Sequence, residues 1–214
     1  SNCHVVPNST KLYPHQKDYR YYGKMMFVGR MSVAHNIHSV QYVRDNLLDT
    51  ILAKYPKLTF DIVGACPPKI IRNMDGSKNT KVHGFVDDLL GALAECDVFV
   101  APMFFSAGMQ NKVLEAMAVG VPVVMTENVA ESIGCRDKVH YLKAGNKDEF
   151  IARIFELLED AELRAKIGTA AKQFISQHYS PEIVSSLIYS RFDSVSKARS
   201  EERRVGKECR SRWA

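Results

Sequence analysis

The sequence has few cysteines and no pattern among them. Cys3, Cys66, Cys96, Cys135 and Cys209 stand far apart, with no CxxC pair and no Cys/His grouping at metal-ligand spacing, which excludes a disulfide framework and a zinc site of the usual spacing. The thiols read as reduced, mostly core or incidental. No apolar run approaches the roughly 20 residues that a membrane helix needs, and no leader peptide opens the chain, which points to the cytoplasm. A dominant charge is missing as well. The formal +5 is concentrated at 199–214, where six basic residues face three acidic ones, and the rest carries too little excess for a nucleic-acid face.

What is present suits one soluble domain: 46% hydrophobic and 25% charged residues over a 214-residue chain, enough for a full core. The segment 199–214, RSEERRVGKECRSRWA, has no apolar period and resembles vector-encoded read-through, and Ser1-Asn2 resembles a tag remnant. The expected organisation is therefore a tag remnant and linker over 1–23, one domain over 24–198, and a foreign tail over 199–214.

The stretch from Asp97 to Thr126 organises the domain. Val98, Phe99, Val100 and Ala101, then Val121, Val123 and Val124, are apolar runs rich in β-branched residues, as in strands covered on both faces. Between them Val113, Leu114, Met117 and Ala118 repeat at helical spacing, with Gly108 expected to open the helix and Gly120 and Pro122 to end it. Such a strand, loop and helix aim the first N–H groups of the helix at whatever lies above the carboxyl edge of the sheet, where anions are favoured. Lys112 and Glu115, three residues apart near that end, offer a cation for phosphate and a carboxylate for hydroxyls. The plainer reading is a surface ion pair worth about 0.2–0.5 kcal/mol.

The other elements follow in alternation. Strands are expected at Lys24–Gly29, Leu58–Gly64, Lys81–Phe85 and Lys138–Leu142. Helices are expected from an N-cap at Asn36 to Lys54, after Cys66-Pro67-Pro68, over Asp88–Glu95, over Asn128–Ile133, over Asp148–Glu159, over Ala161–His178, and from Ser180-Pro181-Glu182 toward Ser196. The segment 73–80 reads as a loop. The sum is an α/β fold, a doubly wound, mostly parallel six-stranded sheet with its ligand at the topological switch point. His35 and His38 lack a third ligand, and Asp88 is better placed to complement a helix dipole than to hold a metal, so no metal site is expected. His83 reads as structural.

NKVLEAMAVGVPVV closely resembles the signature segment of the group 1 type retaining glycosyltransferases of GT-B fold, and AGMQNKVLEAMA resembles a subgroup related to exosortase-associated sugar transferases. The family pattern has two glutamates eight positions apart, the first on the donor sugar and the second on the nucleotide ribose. Glu115 matches the second, whereas the first falls at Ala107, which has no polar group. Gly29-Arg30 resembles the family turn whose arginine contacts the donor phosphates. The lysine that usually follows five residues later is His35 here, leaving Lys112 to supply that charge. Gly84-Phe85 resembles the turn that meets the nucleobase, and VVPNSTKLYP resembles the linker ahead of the second domain of these enzymes.

The resemblance implies a donor-binding domain, the C-terminal half of a GT-B enzyme, that takes a nucleotide-diphosphate sugar for transfer to a glycan, lipid or other acceptor. Lys112 and Arg30 would then be catalytic, and Gly29, Gly84, Phe85, Gly108, Met109, Gln110, Asn111 and Glu115 would bind the donor, with no cofactor or metal. It also implies that an N-terminal acceptor-binding domain is missing, that this chain alone is inactive, and that peripheral membrane association of the full-length protein stays open. Two alternatives stand beside it: a non-catalytic nucleotide-binding or interaction domain, and a nucleotide-sugar epimerase of the same fold.

Overall fold

The computed structural model describes residues 6–105 and 108–192. Six parallel strands, β1 (Lys24–Val28), β2 (Thr59–Val63), β3 (Thr80–Gly84), β4 (Val98–Ala101), β5 (Val123–Met125) and β6 (Leu142–Lys143), form one sheet in the order β3-β2-β1-β4-β5-β6. Helices α1 (Ala34–Tyr42), α2 (Leu48–Lys54), α3 (Lys69–Arg72), α4 (Leu89–Ala94), α5 (Asn111–Val119), α6 (Glu127–Ile133), α7 (Lys147–Glu159) and α8 (Ala161–Tyr179) alternate with them. Helical residues also run over 181–192, with Ile183, Tyr189 and Phe192 exposed. The architecture is α/β, a doubly wound parallel sheet of the Rossmann-like kind.

Strand side chains alternate between two cores. Met26, Val28, Val63, Phe99 and Val123 face α5 and α8, while Met25, Phe27, Phe60, Ile62 and Val100 face α1, α2 and α7. Burial on both faces explains why the inner strands read as largely apolar runs, whereas the edge strand β3 is partly exposed. β1 and β4 are neighbours, yet β1 is followed by α1 on one face and β4 by α5 on the other. The switch point therefore lies between their carboxyl ends.

Several boundaries differ from the sequence expectations. Asn36 does not cap the first long helix. The chain enters at Val33 with extended backbone, so Asn36 lies inside the helix and turns inward. That helix is also not uniformly α-helical, since a π-helical turn, Val43–Leu47, joins α1 to α2. Gly108, at φ +74°, lies ahead of the Gln110 cap rather than opening α5, and Gly120 ends α5 at φ +95° as expected. Val121 falls outside β5 because its N–H returns to Ala116 O at 2.9 Å. The expected strand at Lys138–Leu142 is mostly a turn, with Lys138 at φ +58° and a lone Asp137–Tyr141 bridge before β6. β3 ends at Gly84, leaving Phe85 beyond the strand and 73% exposed. Residues 193–196 of the expected last helix, Ser1 and Asn2, Cys3, Cys209 and the 199–214 tail lie outside the described residues.

Candidate functional site

The carboxyl ends of β1 and β2 and the N-terminus of α5 enclose a cavity of about 670 Å³. Its floor depends on two close backbone approaches. Gly29 N–H donates to Val63 O at 3.0 Å and Met31 N–H to Ala65 O at 3.0 Å, continuing the strand pairing through the Gly29-Arg30 turn. A Cβ on Gly64 would lie 1.7 Å from Gly29 O, and one on Gly29 would lie 2.8 Å from Asn36 Nδ2, so neither position has room for a side chain.

Asn36 is 3% exposed and joins two parts of the site. Its Nδ2 donates to Arg30 O at 2.9 Å, and its Oδ1 accepts a hydrogen bond from Lys112 Nζ. The Lys112 ammonium also lies 3.6 Å from Met103 Sδ and 5.1 Å from the centroid of the Phe27 ring. Lys112 is only 9% exposed, so desolvation lowers its pKa to about 8 against a smaller raising effect of Glu115. The half-buried Glu115 carboxyl is pushed up by desolvation and partly drawn back by Lys112. This is not the surface ion pair of the plainer reading. Lys112 is buried, and its ammonium is held by an amide oxygen rather than by the nearby carboxylate. Burial first, and Lys112 second, also lower the pKa of His35 at the cavity wall.

At the start of α5, Val113 and Leu114 N–H both donate to Gln110 O, at 2.9 and 3.2 Å. The N–H groups of Asn111 and Lys112 precede them and have no partner within the helix. Gln110 is buried and its Nε2 donates to Gly108 O at 3.2 Å. Asn111 Oδ1 accepts from Asn8 Nδ2 at 2.8 Å, which brings the segment before β1 to the site. Beyond Asn111 and Glu115, which line both spaces, lies a second recess of about 370 Å³ walled by Ser9, Thr10, Lys11 and the Asp87–Leu90 turn. There the Asp88 carboxylate caps α4, accepting from Gly91 N–H at 2.8 Å.

Of the residues singled out from sequence, Gly29, Arg30, Met109, Gln110, Asn111, Lys112 and Glu115 line the main cavity together. Gly84, Phe85 and Gly108 line neither it nor the second recess. Ala107 lies outside the described residues. Cys66 is not a core thiol: it is exposed, at φ +58°, on the cavity rim. Asn36 and Gly64 were not legible as site residues. The signal available for Asn36 was an amide on the same helical stripe as Val40 and Val43, where a buried polar group needs partners. His83, read from sequence as structural, has its Nε2 3.3 Å from the buried Asp61 carboxylate. Among the described residues no three His, Cys, Asp or Glu side chains stand together as metal ligands, and no helix is long and apolar enough to cross a membrane.

Comparison with known proteins places this geometry among others. The family described as glycosyl transferases group 1 matches residues 23–160. Comparison with curated proteins returned no match. Among solved structures, a Staphylococcus aureus TarM variant in complex with fondaparinux, alpha-GlcNAc-glycerol and UDP aligns with a TM-score of 0.71 at 20% identity, covering 88% of this chain and 39% of TarM. Anabaena HepE in complex with UDP aligns with a TM-score of 0.67 at 19% identity, over 82% of this chain and 50% of HepE. The pneumococcal O-GlcNAc transferase GtfA, in complex with UDP and GlcNAc, aligns with a TM-score of 0.65 at 15% identity, over 89% of this chain and 38% of GtfA. The chain thus spans half or less of each of these structures, and what they share with it at such identities is the fold.

Proposed function

Because the chain belongs to the glycosyl transferases of group 1, we propose that it is the nucleotide-sugar-binding half of a retaining glycosyltransferase of GT-B fold. The observation that carries this reading is the desolvated Lys112 ammonium, held by Asn36 beside Glu115 at the carboxyl-end crevice of the parallel sheet. The diphosphate of the donor would lie against Lys112, Arg30 and the first N–H groups of α5, and the ribose hydroxyls against Glu115. The base would enter the second recess beside Asp87–Leu90, with Gly84 and Phe85 just beyond it. Negative charge grows on the diphosphate as the bond to the sugar breaks, and a preorganised cation in a desolvated cleft stabilises that charge more than water would. Lys112 and Arg30 are the catalytic residues in this sense. Gln110 and Asn111 would take over the sugar hydroxyls that the family's first glutamate contacts, and Met109 would pack beside them. Gly108 would keep the loop clear of side chain.

UDP is the nucleotide to try first, since TarM, HepE and GtfA are in complex with it. The subgroup related to exosortase-associated sugar transferases, a cytoplasmic setting, a metal-independent reaction and an acceptor bound by a further domain complete the proposal. Calorimetric titration with a nucleoside and its diphosphate tests it. Lys112→Met should weaken the diphosphate at least tenfold and spare the nucleoside, because a charge-assisted hydrogen bond is worth about 1.5–3 kcal/mol. Glu115→Gln should weaken both. Unchanged diphosphate affinity in Lys112→Met would reject the site.

The apolar residue at Ala107 favours one second reading, nucleotide binding without transfer. Release of nucleoside diphosphate from a nucleotide-sugar by the full-length protein would reject that reading, whereas the present chain by itself is expected to bind and not to turn over. Gln110→Ala and Asn111→Ala should weaken the nucleotide-sugar and leave the bare diphosphate unaffected.

A further inference from the structure

A second cluster of polar side chains lies outside the cleft, in a groove of about 440 Å³ between the turn that follows α6 and the later part of α8. Arg136 and His140 come from the turn, and Gln173, Phe174, Gln177 and His178 from α8. The Phe174 ring sits between the two imidazoles, 4.5 Å from His140 and 4.7 Å from His178 by ring centroids. His140 is 8% exposed, and its Nδ1 accepts from Arg136 N–H at 3.2 Å. The neutral ring therefore carries its proton on Nε2, a donor with no protein acceptor among the described residues. The Arg136 guanidinium, the two glutamine amides and the His178 ring nitrogens likewise have no hydrogen-bond or ion-pair partner among the described residues. Among the described residues no carboxylate lines the groove. Burial first, then the charges of Arg136 and His178, lower the pKa of His140.

A guanidinium, an imidazole N–H and two amide groups give the wall of the groove an excess of hydrogen-bond donors beside Phe174. We propose that this groove binds an oxyanion of the phosphomonoester kind on a body the size of a hexose. Arg136, His178 and the Nε2–H of His140 hold the oxyanion, and the part of Phe174 that lines the groove packs beside the body. The volume falls within the range of small-molecule sites. The inference does not depend on the nucleotide cleft, and nothing in the family match assigns it.

The test is a titration followed by the ring-proton NMR signals of His140 and His178, assigned with His178→Ala, at constant ionic strength. The probes are glucose 6-phosphate, inorganic phosphate and glucose. Both phosphates should move the two signals and glucose should not. Tighter binding of glucose 6-phosphate than of inorganic phosphate supports the hexose-sized body, and equal binding would overturn it. Arg136→Gln, a change at an exposed side chain, should weaken both at least tenfold, and Lys112→Met should leave both unchanged. Signals that do not respond, an unaltered affinity in Arg136→Gln, or a response abolished by Lys112→Met would overturn the proposal.

Discussion

Lys112 carries its ammonium into a cleft where burial favours the neutral amine, opposed by Asn36 Oδ1 and by the carboxylate of Glu115. Its pKa falls from the ordinary lysine value of 10.5 to about 8, so between these values the unfolded chain binds more protons than the native one. Stability should therefore rise with pH across that window, by on the order of 3 kcal/mol if the whole shift is expressed. Diphosphate affinity should fall over the same window as the ammonium is lost. Denaturation and binding curves at pH 7.5 and 10 measure both, and the difference between the native chain and Lys112→Met isolates this residue from other titrations. Asn36 acts through Lys112 and is best assigned a positioning role. Asn36→Ala should move the pH midpoint of diphosphate binding down, because the ammonium loses its acceptor. Asn36→Asp should move it up, because a carboxylate holds the proton. Coincident midpoints in the two variants would reduce Asn36 to a packing residue. The pattern at Lys112 and Glu115 was legible in the sequence. The burial that separates Lys112 from an ordinary surface cation was not, because a helix wheel does not say which loop covers its first turn.

At the scale of elements, the crevice exists because β1 and β2 end in backbone that almost touches. Gly64→Ala would place a Cβ 1.7 Å from Gly29 O at a φ that side chains rarely adopt, and we expect a loss of about 3 kcal/mol or more by chemical denaturation. α5 is held from behind by α8, where a Cβ on Gly168 would lie 2.1 Å from Gly120 O. Gly168→Ala should destabilise by about 1–3 kcal/mol and weaken nucleotide binding as the first turn of α5 shifts. Asp88→Ala removes the cap of α4, a change of about 1 kcal/mol by chemical denaturation. Strand and helix identities followed from apolar runs and helical spacing. Their ends did not: Asn36 is drawn inward by Lys112, 76 residues away, and Lys138 turns on hydrogen bonds with Asp137 and Tyr141 that leave no apolar signature.

At the scale of the whole molecule, a ligand bound only by the native state stabilises it by about 2.7 kcal/mol at one hundred times its Kd. UDP at that excess should raise Tm by about 5–10 °C for a domain of this size, uridine by less, and Lys112→Met should lose most of the difference. An equal shift with both ligands would detach the diphosphate from the site. The number and mostly parallel sense of the six strands were within reach of the sequence, since alternating buried strands and helices point to a doubly wound sheet, whereas their order came from the structure. Also within reach of the sequence were the composition of α5 and the family resemblance, which are properties of contiguous residues. Only the tertiary structure decided that Asn36 and Lys112, 76 residues apart, share a hydrogen bond, and that Asn8 reaches Asn111. It alone decided that Gly84 and Phe85 stand off the cavity and that Arg136 and His140 meet His178 across a groove. Periodicity records which face of an element is apolar, whereas the meeting of two polar groups depends on how elements pack, and that information is not local to either stretch of chain.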